Sequence, residues 1–479
     1  MMKNSYIPEE PVAAIATALA PSALGIIRTS GKGCIELISR VFSRPKALLA
    51  SGGNTVVYGW IINPAEKENG KAKKVDEVLV SVFKAPKSFT GEDMAEISCH
   101  GGTAIVSSIY ALLLENGFRE AQRGEYTFRA YVNGKADLTK AEAVKEIIDG
   151  RTKISCGRAA GRLAGSVYEQ IEEIKKLIMD TVASIEVSIE YPEDEETIAD
   201  AFDHTKLVQA KERLYALYSS WKSEKLYQDG ARVVLCGKTN VGKSSLFNAL
   251  LKEDRAIVSD IEGTTRDWIE SWVSFDGVPA RLFDTAGLRK TSDIIEQKGV
   301  ERTRDISREA DLVLYLADAS NDGFITGNVD PADLDEFLAF KDVPVVFVWN
   351  KCDRLAENEL PCLSKEIAEK SSELKNQLYI SAKTGLGIEN LSKTVKNLLT
   401  NSCGTEREQA GLGSARQAKS VKEAYECVVH ALESADEKYS LDAAVQDLED
   451  SLEALGEVTG EVTPDDILET IFSNFCVGK

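Results

Sequence analysis

Gly237-Lys238-Thr239-Asn240-Val241-Gly242-Lys243-Ser244 places two glycines, a lysine and a hydroxyl at the spacing G-x-x-x-x-G-K-[ST]. Residues of these types at this spacing can hold a nucleotide's phosphate chain. The glycines let backbone N–H groups turn inward around phosphate oxygens, Lys243 reaches the β- and γ-phosphates, and the Ser244 hydroxyl ligates Mg²⁺. The plain alternative is a chance glycine-rich turn, and the flanking residues argue against it. Arg232 to Cys236 is a short apolar run that reads as a buried parallel strand, and Ser245 to Leu251 follows with helical spacing. Strand, glycine loop and helix bring the positive end of a helix to the phosphates.

Three later stretches extend the pattern in order. Gly263-Thr264-Thr265-Arg266-Asp267 is a polar loop in which Thr265 can complete the Mg²⁺ shell. Asp284-Thr285-Ala286-Gly287 ends the run Ala280 to Phe283, so Asp284 can hold Mg²⁺ through water and the Gly287 N–H can sense a γ-phosphate. Asn350-Lys351-Cys352-Asp353 follows the strand-like Val345 to Trp349. The Asp353 carboxylate matches the N1–H and 2-amino group of guanine, while Lys351 lays its stem over the ring. Adenine would leave that carboxylate unpaired, a penalty that supports discrimination of about 10⁴-fold. Ser381-Ala382-Lys383, after Gln377 to Ile380, would back the base with main-chain N–H groups. The ordered motifs predict a GTP hydrolase of the Ras-like P-loop class.

The rest of the chain must position that machinery. At 479 residues it predicts about three domains. Residues Ala13 to about Gly134 have an α+β texture, with strand-like runs Leu24 to Arg28, Thr55 to Ile61 and Val78 to Phe83 and a helix over Thr103 to Asn116. Ser88 to Gly102 reads as a turn, a strand and a Gly-Gly loop, or as a ligand-bearing segment. From Asp137 the pattern is helical: Ile171, Ile174, Ile178, Val182, Ile185 and Ile189 share one face, and Leu207, Leu214, Leu217, Tyr218 and Trp221 mark a second stretch. After about Ser402 helical spacing resumes with Leu441, Val445, Leu448, Leu452 and Leu455. Thr463-Pro464-Asp465-Asp466 predicts a helix start with Thr463 as N-cap. These stripes read as bundle core rather than cofactor boxes. The economical layout is an N-terminal domain over 1–134, a discontinuous helical domain over 135–228 and 402–479, and a G domain inserted at 229–401. The tail Phe475-Cys476-Val477-Gly478-Lys479 reads from composition as a frayed terminus.

Composition bounds the partners. Net charge is -20, so any RNA contact needs local basic patches or a partner's charge. No apolar run approaches the ~18 residues of a membrane span. Nine cysteines are scattered singly, which predicts a reducing, cytoplasmic setting rather than a disulfide framework, and three dispersed histidines suggest no metal cluster. Met1 to Tyr6 lacks the apolar core of a signal peptide.

Hydrolysis needs charge and water positioned at the γ-phosphate. Leu288 occupies the position where Ras-like proteins carry a water-orienting glutamine, and Arg266 and Arg289 have no assignable role. The Asn240 side-chain carbonyl can ligate a monovalent cation beside the β/γ bridge. Glu296 can position water, with a solvated surface role equally open.

Taken together, these residues resemble the MnmE (TrmE) family of bacterial tRNA-modification GTPases over nearly the whole chain. The specific carriers are Ser88 to Gly102, Gly124 to Thr127, Asn133 to Ala143, the inserted G domain and the terminal Cys-x-Gly-Lys. The resemblance implies an N-terminal domain similar to tetrahydrofolate-binding domains, forming a homodimer. In it Arg28, Glu96, Lys135 and Lys479 would contact a one-carbon folate, near Cys476. It also implies potassium-activated hydrolysis through G-domain dimerisation. Asn240, Ser259, Ile261 and Thr264 would ligate K⁺, Ser244 and Thr265 would ligate Mg²⁺, and Glu296 would position water. GTP contacts would run through Asn240, Val241, Gly242, Lys243, Ser244, Ser245, Ser259, Thr264, Thr265, Asp284, Thr285, Ala286, Gly287, Asn350, Lys351, Asp353, Ser381, Ala382 and Lys383. The implied partners are an MnmG-like FAD- and NADH-using protein and tRNA, with modification at carbon 5 of a wobble uridine. Departures are Ala18 to Ala23 in place of a glycine-rich turn, Ser259 for threonine, Val477 for isoleucine and Lys383 for arginine. A ribosome-assembly GTPase would predict a basic RNA-binding face, and a dynamin-like membrane GTPase an amphipathic tip; neither is recognisable here.

Overall fold

A computed structural model of the chain describes residues 10–190, 204–253, 270–284, 310–320, 343–355, 377–401, 411–436 and 441–479. They fall into two compact units, one of Met1–Lys145, Tyr168–Leu207 and Glu423–Lys479, the other of Glu146–Val167 and Val208–Lys422.

The first unit is built on a six-stranded sheet in the order β3-β4-β5-β2-β1-β6. Its strands are β1 (Val12–Ile15), β2 (Leu24–Ser30), β3 (Thr55–Glu68), β4 (Lys71–Phe83), β5 (Met94–His100) and β6 (Arg119–Glu120). All neighbours pair antiparallel except β1 and β6. Alternation sorts the faces: Ile27, Val80, Val82, Ile97 and Cys99 turn inward against Val106, Ile109, Leu112 and Leu113 of the helix Thr103–Glu115. Burying this period-two face against a helical stripe is what makes the unit fold. β3 and β4 meet at Asn69 and Gly70, with φ of 52° and 79°, the conformation that a tight hairpin turn requires.

The other face of the sheet is partly open. Arg28, Glu96, Ser81 and Val56 form one row across β2, β5, β4 and β3, and Ile26, Ser98, Leu79 and Tyr58 form the next. In that area Val56, Tyr58 and Leu79 are 61%, 49% and 48% exposed.

The C-terminal segment closes against this unit. In the helix Asp465–Ser473, Phe472 packs on Phe128 and Tyr131, with ring centroids 5.3 and 6.3 Å apart. Both partners belong to the helix Glu125–Val132. The cap expected at Thr463 falls instead at Pro464, whose ψ of 144° leaves it outside the helix. Thr463 is then one residue too early, and its buried Oγ1 has no hydrogen-bond partner among the described residues. The expected stripes are core: Ile171, Ile174, Ile178, Val182, Ile185, Leu448 and Leu455 are buried. The side chain of Ile189 lies outside the described residues.

The second unit holds a sheet in the order β12-β11-β10-β7-β9-β8. Its strands are β7 (Ala231–Cys236), β8 (Glu270–Phe275), β9 (Val278–Asp284), β10 (Leu312–Asp318), β11 (Val345–Asn350) and β12 (Gln377–Tyr379). Only the β8–β9 pair is antiparallel. Core residues lie on both faces, Val233 and Leu235 on one and Val234 and Cys236 on the other, which is why β7 reads as a continuous apolar run. The order reverses between β7 and β10. Ligands of open α/β sheets bind there, outside the carboxyl ends of the strands.

Candidate functional site

β7 delivers the chain into the phosphate loop, and the helix Lys243–Glu253 carries it away. Gly237 has φ 126°, and a Cβ there would sit 2.2 Å from the Leu316 carbonyl oxygen. Gly242 has φ 102°, and its Cβ would meet Asn350 Nδ2 at 2.3 Å. Neither position has room for a side chain, so the loop lies directly against β10 and β11. Asn240 between them is left-handed at φ 64° and exposed. Val241 is buried and anchors the loop in the core. Lys243 is buried, and its Nζ donates to the Gly237 and Lys238 carbonyls at 2.5 and 2.6 Å. The lysine is thus folded over the ring of loop carbonyls, poised where phosphate oxygens would compete for it. Ser244 and Ser245 are exposed in the first helical turn.

The base end is assembled from β11 and the loop after β12. Asn350 is a brace: Nδ2 donates to the Val241 carbonyl at 2.8 Å and Oδ1 accepts from the Ala382 N–H at 3.0 Å. Lys351 is left-handed, φ 67°, and its Nζ donates to the Asn240 carbonyl at 2.7 Å. Asp353 is exposed, and its Oδ1 accepts from Ser381 Oγ at 2.7 Å. That hydrogen bond, first among the causes, holds the Asp353 carboxyl below its ordinary range and keeps it an acceptor for guanine. Lys383 adds a weaker positive charge nearby.

β9 ends at Asp284, in register with Leu235 of β7, so its backbone lies beside the strand that feeds the loop. The Asp284 side chain and Ser259, Ile261, Thr264, Thr265, Thr285, Ala286, Gly287, Leu288 and Glu296 lie outside the described residues. Among the described residues no cluster of three or more His, Cys, Asp or Glu could hold a metal. An exposed serine at the helix start suits Mg²⁺, which takes one or two protein ligands together with nucleotide phosphates.

The first unit brings a second set together. Arg28 Nε donates to Glu96 Oε1 at 2.9 Å, and Nη1 donates to the Gly478 carbonyl at 3.1 Å. The guanidinium lies 5.2 and 5.5 Å from the ring centres of Phe89 and Tyr126. Tyr126 donates its hydroxyl to the Arg28 carbonyl at 2.8 Å and its N–H to the Lys479 main-chain oxygen at 3.2 Å. Lys135 donates to the Pro86 carbonyl at 3.0 Å, at the start of the segment carrying Phe89. Val477 forms a bridge with Arg123, and Cys476 is exposed. The tail is therefore docked, not frayed.

Sequence reasoning missed what lies beneath. Arg129, 0% exposed, pairs with Glu92 at 2.7 Å and Glu125 at 2.8 Å. Glu92 reaches the Ser30 hydroxyl at 2.7 Å, and Glu125 also pairs with Arg119 at 2.6 Å. This network fixes the helix that bears Tyr126. A buried arginine leaves no hydropathy signal.

A model described as GTP-binding protein TrmE N-terminus matches residues 11–135, and one described as MnmE helical domain matches 138–476. The chain is 50% identical over 481 residues to a Treponema denticola protein named tRNA modification GTPase MnmE, covering 100% of both chains. The chain belongs to the MnmE family. Family proteins of the same name from Treponema pallidum and Borrelia recurrentis are each 39% identical over 510 and 481 residues, again with 100% of both chains covered. The MnmE models account for the N-terminal domain and for helical segments on either side of the P-loop domain.

Proposed function

We propose that this MnmE-family GTPase is potassium-activated and that, with an MnmG-like FAD- and NADH-using partner and a one-carbon tetrahydrofolate, it modifies carbon 5 of the wobble uridine of certain tRNAs. Full-length similarity to proteins named tRNA modification GTPase supports the general reading. The observation that carries the potassium reading is Asn240, exposed and left-handed within the phosphate loop, three residues before Lys243. There its side-chain carbonyl can supply an oxygen to a monovalent cation, with Ser259, Ile261 and Thr264 as the other ligands. Lys243 then holds the β- and γ-phosphates, Ser244 and Thr265 hold Mg²⁺, and Glu296 orients water.

For the folate, Arg28 and Lys479 suit a glutamate tail and the Glu96 carboxylate suits a pterin edge, with Lys135 as a further cation. The exposed Phe89 offers a ring face beside Arg28, and the buried Tyr126 ring lies near the same guanidinium. The exposed Val56, Tyr58 and Leu79 lie on the same sheet face as Arg28 and Glu96, which supports a homodimer formed over the folate. The domain limits 1–134, 135–228, 229–401 and 402–479, a dimerising G-domain cycle and a cytoplasmic setting belong to the same reading. Among the described residues no helix is long and apolar enough to cross a membrane.

The test is GTP turnover by the purified protein in KCl against NaCl, with Asn240→Ala alongside, and binding of labelled tetrahydrofolate. Faster turnover in KCl that Asn240→Ala abolishes supports the proposal. Equal rates in both salts remove the potassium reading, and absence of folate binding removes the one-carbon reading.

A further inference from the structure

The carboxyl edge of the nucleotide sheet carries a carboxylate, Asp318, that the motifs do not use. β10 ends at Asp318, in register with Asn350 at the end of β11. Asp318 Oδ1 accepts from the Ser320 N–H at 3.0 Å and the Ser320 hydroxyl at 2.7 Å. Oδ2 accepts from Lys351 Nζ at 2.6 Å. The same ammonium donates to the Asn240 carbonyl at 2.7 Å. A line of charge-assisted hydrogen bonds therefore runs from the end of β10, through the base-side lysine, into the phosphate loop. Burial pushes the Asp318 carboxyl up, but the hydrogen bonds from Lys351 and Ser320 outweigh it and hold it below its ordinary range. Asp318 is an anion wherever the protein would work.

We infer that Asp318 is a positioning residue for the nucleotide, fixing Lys351 Nζ on the Asn240 carbonyl and so setting the loop conformation from which the Asn240 side chain meets a cation. Lysine has a long stem with high rotamer entropy and three rotatable donors, so an ammonium bound on one side only would swing. With Asp318 on one side and Asn240 on the other it is held at two points. Asn240 and Lys351 both adopt positive φ, a conformation unfavourable to a non-glycine residue that needs such contacts to persist. Ser320 fixes the carboxylate in turn. The nucleotide half of this inference stands on geometry alone; the cation half rests on the proposed potassium reading.

The experiment is a double-mutant cycle on fluorescent GDP affinity in the full-length protein, with Asp318→Asn, Lys351→Met and the pair. Methionine keeps an unbranched stem over the base and removes the ammonium. Asp318→Asn is expected to weaken GDP about tenfold in the natural background. In the Lys351→Met background it should change affinity by less than about twofold. The same loss in both backgrounds, or no loss in the natural one at an unchanged melting temperature, overturns the inference. A KCl titration of GTP turnover reads the second half. Asp318→Asn should raise the K⁺ concentration for half-maximal turnover about fivefold, whereas general loosening lowers turnover without moving that midpoint. A natural protein indifferent to KCl and NaCl would overturn the potassium reading and the cation half together, and the GDP cycle still decides Asp318.

Discussion

Arg28 and Gly478 stand 450 positions apart in the chain, and the Arg28 guanidinium donates to the Gly478 carbonyl at 3.1 Å. The contact makes the last residues of the chain a wall of the site on the first unit's sheet. Gly478 is suited to this by its backbone: φ is 92°, and a Cβ would come within 3.1 Å of the Ile15 carbonyl oxygen. Gly478→Ala therefore incurs strain of about 1–2 kcal/mol in the docked tail. Labelled tetrahydrofolate should bind on the order of tenfold more weakly, with GTP turnover by the second unit within about twofold of the natural rate. Calorimetric titration measures the first quantity. Unchanged folate affinity would detach the tail from the site.

The buried charges under that site predict a pH dependence. Burial pushes the Glu125 carboxyl up, but the Arg119, Gln122 and Arg129 hydrogen bonds more than offset it, so its folded pKa lies below the ordinary 4.5. A carboxyl depressed in the folded state contributes stability that is complete above 4.5 and is lost as pH falls through the folded value. Urea unfolding followed on the first unit should show a midpoint falling with pH only below that point. Arg129→Met takes the buried Glu92 from its arginine and leaves Glu125 paired with Arg119, a loss of about 3–5 kcal/mol. It should also shrink the acid-induced loss, because the folded pKa of Glu125 moves back toward 4.5. A variant with an unchanged acid limb would assign the pH dependence to other groups.

How far the chain could be read without coordinates depended on which physical signal each element emits. β7 and the loop after it were legible because a strand buried on both faces is apolar throughout and the glycine spacing is local. The β3–β4 hairpin was legible only in its apolar half: the run ends at Ile61, while pairing continues to Glu68 opposite Lys71. Backbone hydrogen bonds and the Asn69–Gly70 turn hold that extension without a buried face. Arg129 and Asp318 were missed for the opposite reason. Charges in a sequence read as solvated, and only the fold reveals that partners surround them. The docked tail depends on a contact between chain ends, which no local pattern encodes.

Within the phosphate loop the sharpest prediction concerns Gly242. Its missing side chain lets Asn350 Nδ2 reach the Val241 carbonyl at 2.8 Å, and a Cβ would lie 2.3 Å from that nitrogen. Gly242→Ala adds backbone strain of about 1–2 kcal/mol and breaks a buried hydrogen bond for about 1–3 more. GDP affinity should fall on the order of 100-fold. Equilibrium binding of a fluorescent nucleotide checks this, with circular dichroism to confirm the fold. A loss of less than about threefold would mean that the loop and β11 do not pack as described.

Ser381 offers a finer test of base recognition, because among the described residues its side chain hydrogen-bonds to Asp353 and Thr384 rather than to the phosphate loop. Its buried hydroxyl donates to Asp353 Oδ1 at 2.7 Å and accepts from the Thr384 N–H at 3.2 Å. Ser381→Ala frees the carboxylate to rotate and removes the main influence that lowers its pKa. Guanine engages both carboxylate oxygens, through N1–H and the 2-amino group, whereas hypoxanthine offers only N1–H. Loss of orientation should therefore weaken GDP about threefold to tenfold and IDP less, narrowing the preference between them. The acid limb of GDP binding should also move up toward 3.8, since Asp353 would accept a proton earlier as pH falls. Competition of GDP and IDP against a fluorescent nucleotide reads the first effect, and a pH series on the second unit's binding reads the other. An unchanged GDP-to-IDP ratio would show that Ser381 supports the loop after β12 rather than the carboxylate that recognises guanine.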